Sequence, residues 1–282
     1  SGMRIRGGAM PLAYTQNTEE YNKFAANRFL PALNEPLSTF SIDVDNAAYS
    51  NVRRFINQGT FPPVDAIRTE EFLNYFAYDY PAPRGNDPVS ITTEVSYAPW
   101  NTQHKLVHIG IKAKEIATEN LPASNLVFLI DVSGSMDFSN KLPLLKSSLK
   151  LLVKQLRPQD RVAIVTYANQ TKEVLTSTPG SNKAKILAAI DGLYASGGTA
   201  GGDGIQRAYR VAENNFIKGG NNRIILATDG DFNIGISSPK ELEKMIETKR
   251  ATGIYLTVLG FGMGNYKDNR MQVLAEKGNG NH

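Results

Sequence analysis

The sequence predicts an α/β protein whose larger part is a doubly wound, mostly parallel sheet, preceded by a smaller α+β unit. Three observations carry that prediction. From about residue 123 onward, strand-like apolar runs alternate with amphipathic helical stretches. Leu126–Ile130 is an unbroken apolar run, the mark of a strand covered on both faces. Before residue 123 the rhythm differs, with helices first and then two strands in succession. At 282 residues, 41% hydrophobic and 21% charged, the chain has room for about two packed domains and is not disordered, collagenous or coiled-coil.

Residues 1–36 show no sustained periodicity and read as a linker or arm, residues 37–122 as the α+β unit, and residues 123–282 as the sheet domain. Within the α+β unit, Thr39–Asp45 alternates like a half-buried strand. Tyr49, Val52, Phe55 and Ile56 then recur at helical spacing until Gly59. A second helix is expected from Asp65, as N-cap, to about Ala77, burying Ile67, Phe72, Leu73 and Phe76. Val89–Tyr97 and Lys105–Ala113 form an antiparallel pair with a longer loop around Pro99-Trp100-Asn101.

In the sheet domain, a helix over about 141–156 carries Leu142, Leu145, Leu149, Leu152, Val153 and Leu156 on one stripe. Val162–Tyr167 and Glu173–Thr176, joined by a tight Asn169-Gln170 turn, should be antiparallel. Helices follow at about 182–193 and 203–217, then a strand at Arg223–Ala227. The next helix opens with Ser238, Pro239 and Glu241 in a capping-box arrangement. Tyr255–Leu259 is a fifth strand, and a short helix covers about 268–276.

Composition excludes several functions. The chain has no cysteine, which removes thiol catalysis, disulfides and Cys-based zinc sites. No run of about 18 apolar residues is present to span a bilayer. With 31 Lys+Arg against 27 Asp+Glu the net charge is only +4, and the 12 Tyr and 12 Phe do not cluster at a basic patch, so no nucleic-acid partner is expected.

The chemistry concentrates in three loops at strand carboxyl ends, where open α/β sheets bind ligands. Asp131-Val-Ser133-Gly-Ser135 follows the first strand and places three oxygen side chains two residues apart on a loop that Gly134 lets curl. Gly197-Gly198-Thr199 and Thr228-Asp229-Gly230 add further oxygens. Carboxylates, hydroxyls and water suit a hard divalent cation such as Mg²⁺, Mn²⁺ or Ca²⁺. A coordination position left over would accept an acidic group from outside.

These three loops, in this order, resemble the metal-ion-dependent adhesion site of von Willebrand factor A-type (vWA) domains, over about residues 123–282. Phe40–Asp45 and Asn51–Ile56 resemble the N-terminal region of the bacterial YfbK-type branch of that family. The resemblance implies a Rossmann-like sheet and a module that is not an enzyme, binding an Asp or Glu carboxylate of a protein partner through the metal. It implies metal ligands Asp131, Ser133, Ser135, Thr199 and Asp229, some through water, with Mg²⁺ as the expected ion. Met136, Asp137, Ala200 and Asp231 would form the rim that selects the partner. It also implies an extracytoplasmic setting, with membrane association only through a lipid anchor upstream of this chain. The family's sheet normally ends in another strand and helix, so this chain is expected to lack them and to leave an open sheet edge.

Two other classes compete. One is an intracellular adaptor for an AAA+ ATPase. The other is a metal-dependent phosphohydrolase, which needs a positioned base, and no His or Lys lies in the motif loops. Other motifs read as structural. Asp229–Asn233 lacks the Gly and Glu that an EF-hand loop requires further on. Asp43 and Asp45 read as strand-end and helix-capping carboxylates, His104 and His108 as an exposed strand face, and Lys146, Lys150 and Lys154 as a solvated helix face.

Overall fold

The computed structural model describes residues 19, 21, 23, 27–39, 42, 45–198, 203–230, 238–262 and 268–282, with 268 and 269 by backbone alone. The chain divides into two compact units, one of residues 30–122 and one of residues 123–282 together with the first 29.

In the larger unit the strands are β3 (Ser124–Asp131), β4 (Arg161–Tyr167), β5 (Thr171–Pro179), β6 (Asn221–Thr228) and β7 (Ile254–Gly260). They form one sheet in the order β5-β4-β3-β6-β7, with β1 and β2 belonging to the smaller unit. All neighbours are parallel except β4 and β5, which are antiparallel as the short Asn169-Gln170 turn requires. The doubly wound reading therefore holds. Every residue of β3 from Asn125 to Asp131 is buried, as its unbroken apolar run demands of a central strand.

Helices cover both faces. On one face α3 (Leu142–Gln155) and α4 (Lys183–Asp191) bury Leu145, Leu149, Val153, Ile186 and Ile190 against Phe128, Ile130 and Ile164. On the other, α5 (Gly204–Asn214), α6 (Pro239–Ala251) and α7 (Asp268–Lys277) pack Ile205, Tyr209, Ile246 and Met271 onto Val127, Leu129, Leu226 and Leu256. Tyr21 packs against this second cluster. The lysine row of α3 is solvated at Lys154 but not free at its other two members. Lys146 Nζ donates to the Asp191 and Leu193 carbonyls at the end of α4, and Lys150 pairs with the Asp191 carboxylate. A cation there meets the carbonyl-rich, negative end of a helix.

No strand follows β7 among the described residues. Its outer edge is nevertheless partly paired, because the Leu256 and Val258 amides donate to the Gly278 and Asn281 carbonyls, each at 3.0 Å. The close approach needs glycine: a Cβ on Gly280 would stand 1.9 Å from the Leu256 carbonyl oxygen.

In the smaller unit α1 (Ala47–Asn57) ends before Gly59, whose φ of +69° suits the residue without a Cβ. The Ala48 amide at its start donates at 2.8 Å to the buried Glu71 carboxylate of α2 (Thr69–Tyr75). The second helix departs from the expectation. Asp65 lies in a single 3₁₀ turn, Val64–Ala66, and Ile67 and Arg68 are extended, so α2 begins only at Thr69. Its expected stripe fails with it, since Ile67, Leu73 and Phe76 are exposed and Phe72 is half-buried. The strand expected over 39–45 falls largely outside the described residues, Asp43 included, and the described ones are not strand. β1 (Val89–Ala98) and β2 (Asn101–Ala113) form a two-stranded antiparallel ribbon. Its turn is the tight Pro99-Trp100 rather than a long loop, and the extra residues form an irregularity between the Tyr97–Lys105 and Ala98–Asn101 pairs. His108 accepts or donates at 2.7 Å to the Tyr80 hydroxyl, a structural role.

Candidate metal centre

The chain winds from β3 toward β4 on one side and from β6 toward β7 on the other, so the direction reverses between β3 and β6. Ligands of open α/β sheets bind in the crevice at such a point. Asp131 is the last residue of β3 and Asp229 the first after β6, and both are fully buried.

The loop after β3 folds onto its own carboxylate. Asp131 Oδ1 accepts from the Ser133 amide at 2.8 Å, and the Ser133 and Ser135 hydroxyls lie 3.1 Å apart. The same loop is stitched to the stretch that leads to Thr199: the Ser196 amide donates to the Val132 carbonyl at 2.8 Å, and Gly134 donates to the Gly197 carbonyl at 2.9 Å. Asn169 braces that stretch by accepting from the Gly198 amide at 2.7 Å, a role its place in a tight turn did not advertise. Gly197, at φ +76°, passes so close that a Cβ would stand 2.5 Å from Asn169 Nδ2.

One loop thus brings Asp131, Ser133 and Ser135 together and Asp229 lies near enough to raise the Asp131 carboxyl, whereas Thr199, Ala200 and Asp231 lie outside the described residues. Asp137 is exposed at the end of the 3₁₀ turn Gly134–Asp137. Met136 is not a rim residue: it is fully buried in the cluster with Phe128 and Ile130, because its 3₁₀ turn points it into the core.

Electrostatics favour a cation here. Burial pushes the Asp131 carboxyl up to about 6, with the neighbouring Asp229 carboxylate adding to the rise, against the Ser133 hydrogen bonds that lower it. Asp131 Oδ2 and the Tyr167 hydroxyl are buried and lack a hydrogen bond of good geometry, although Tyr167 lies close enough to Asp131 to help lower its carboxyl. Two buried carboxylates and two adjacent hydroxyls are a donor set suited to a hard divalent ion. No group of three or more His, Asp and Glu side chains gathers among the described residues, so the hydroxyls are essential to this fit.

A lysine does reach the site, which the loops alone did not reveal. Lys141, at the N-cap of α3, is buried and donates at 2.8 Å to Asp229 Oδ2. The helix's N-terminal dipole repels a cation at this position, and no acidic residue of the first turn offsets it. That misplaced charge was the available signal.

Residues 125–282 match the von Willebrand factor type A domain family. The chain belongs to that family. A second family, described as von Willebrand factor, matches residues 15–108 of this vWA protein. The chain is 50% identical to the uncharacterized protein YfbK of Escherichia coli over 273 residues, 94% of this chain and 47% of YfbK. It is 30% identical to human inter-alpha-trypsin inhibitor heavy chain H4 over 49% of this chain and 16% of that one. This vWA chain therefore spans less than half the length of either relative. Among solved structures, BatB from Bacteroides thetaiotaomicron matches over 56% of this chain and 88% of its own, at 20% identity and TM-score 0.46.

Proposed function

We propose that this vWA protein is a metal-dependent interaction module rather than an enzyme. A divalent ion, Mg²⁺ first among Mg²⁺, Mn²⁺ and Ca²⁺, is held by Asp131, Ser133, Ser135, Thr199 and Asp229, some through water. An Asp or Glu carboxylate of a protein partner completes its coordination. Asp137, Ala200 and Asp231 shape the choice of partner. The observation that carries this reading is a pair of fully buried carboxylates, Asp131 and Asp229, near enough for Asp229 to raise the Asp131 carboxyl, with the Ser133 and Ser135 hydroxyls on the same loop as Asp131. A cavity of about 330 Å³ beside the loop is lined in part by Val132, Asn169 and Lys172.

An extracytoplasmic, lipid-anchored setting is part of the same proposal. A lipoprotein signal in the full gene supports it, and a bare cytosolic start favours an adaptor for an AAA+ ATPase. The phosphohydrolase reading draws nothing from Lys141, whose ammonium is engaged by Asp229 and is no free base. Isothermal titration of Mn²⁺ or Mg²⁺ into the chain and into Asp131→Ala tests the site: heat is expected only from the first, and equal heats sink the proposal. Partner capture lost in EDTA is the corresponding test of the interaction.

A further inference from the structure

We infer that Lys141 is a tethered cation that balances the carboxylates of the metal-free site, and that a divalent ion competes with it for Asp229, so that Lys141 limits how tightly the site holds metal. The second half rests on the metal reading above. The first half stands on the contacts themselves.

The lysine is built into place. Its side chain is 6% exposed and that of Asp229 0%, and the ammonium donates at 2.8 Å to Oδ2. The stem crosses Gly262, where a Cβ would stand 2.2 Å from Lys141 Cε and 3.1 Å from Cδ. Gly262 also has φ +94°, so neither the backbone nor the space there admits a larger residue without strain. The ammonium lies 5.6 Å from the centre of the Phe138 ring. Three separate parts of the chain thus hold one charge against the end of β6.

Two neighbouring buried carboxylates with no cation on either would be strongly disfavoured, and the ammonium sits on Asp229. Counting both as ionised, the ammonium leaves one net negative charge instead of two. The cost of that arrangement falls on metal binding. A divalent ion arriving at Asp229 meets a positive charge already there, and like charges at this range in a buried site repel strongly. A site lacking the lysine would present the ion with one positive charge fewer.

Thermal unfolding and Mn²⁺ titration of the full chain, Lys141→Met, Lys141→Gln and the double variant Lys141→Met/Asp229→Asn test this. In EDTA, Lys141→Met should melt lower by roughly 10 °C, the loss expected for stranding a buried charge in a unit of this size. The double variant should regain at least half of that loss, which a purely packing role for the lysine stem would not produce. Lys141→Met and Lys141→Gln should bind Mn²⁺ at least tenfold more tightly than the parent chain and gain more in melting temperature at saturating Mn²⁺. Equal or weaker binding in either single variant overturns the competition, and a double variant no more stable than Lys141→Met overturns the charge balance. Should Lys141→Met not fold, Lys141→Gln and the double variant decide. Absence of Mn²⁺ binding in every protein overturns the competition and the metal reading together. Binding by the parent chain that Lys141→Gln merely matches overturns the competition alone.

Discussion

β3 and β1 are both rich in apolar and β-branched residues, yet they meet opposite fates. β3 lies between β4 and β6 under helices on both faces, and is buried from Asn125 to Asp131. β1 pairs only with β2, and its Val89, Ile91, Val95 and Tyr97 are 43%, 65%, 64% and 67% exposed. Across the ribbon Ile91 faces Ile111 and Val95 faces Val107, so the face is continuous and still uncovered by the described residues. Side-chain alternation reports that a segment is a strand. Burial is decided by the layers stacked on it, and a two-stranded ribbon has none of its own.

That contrast makes graded predictions. Phe128→Ala, at a side chain 1% exposed in the middle of β3, should cost about 3–5 kcal/mol in urea denaturation followed by circular dichroism. A cost under about 1 kcal/mol would break the comparison at its strong end.

Asp160 comes next. Its carboxylate accepts from the amides of Ser124 and Arg157 at 2.9 and 2.8 Å and from the Arg157 guanidinium at 2.8 Å, pinning the start of β3 to the turn before β4. Burial pushes this carboxyl up, but the hydrogen bonds from Arg157 and Ser124 together outweigh it and leave it below its ordinary 3.8. A carboxyl lowered in the folded state stabilises above its unfolded value and loses that contribution as pH falls through the folded one. Asp160→Ala should therefore cost about 2–3 kcal/mol at neutral pH, with the difference from the parent narrowing only below about pH 4. A difference that does not change between pH 7 and pH 3 would remove the carboxylate from the explanation.

The smallest effect is expected in the ribbon. Ile91→Thr replaces an exposed apolar residue with one equally fit for a strand, and should move the same denaturation curve by less than about 0.5 kcal/mol. A loss above about 1.5 kcal/mol would mean that the ribbon face is packed against something, and would sharpen the comparison into one between two kinds of cover.

Much of the larger unit was legible in the residues themselves. The apolar run of β3, the stripe of α3, the short turn before β5 and the oxygen-bearing loops after β3 and β6 each have a local cause, because strand, helix and turn chemistry act over a few neighbours. The weaker readings were those that needed to know what lay opposite. The stripe predicted for α2 is exposed because Ile67 and Arg68 are extended and shift the helix's start. Met136 sits in the core although it adjoins the loop that carries the site, because a single 3₁₀ turn reverses which way the next residue faces.

The candidate site divides in the same way. Spacing alone brought Asp131, Ser133 and Ser135 together, since a tight loop converges residues two apart. The approach of Asp229 to Asp131 across 98 positions of chain, the Asn169 brace and the Lys141 ammonium on Asp229 were decided only when β6 came to lie beside β3 and Gly262 left a passage for the lysine. Charges carry no local signature of the partners they will meet: their energies depend on distance and burial, and those exist only once the sheet has assembled.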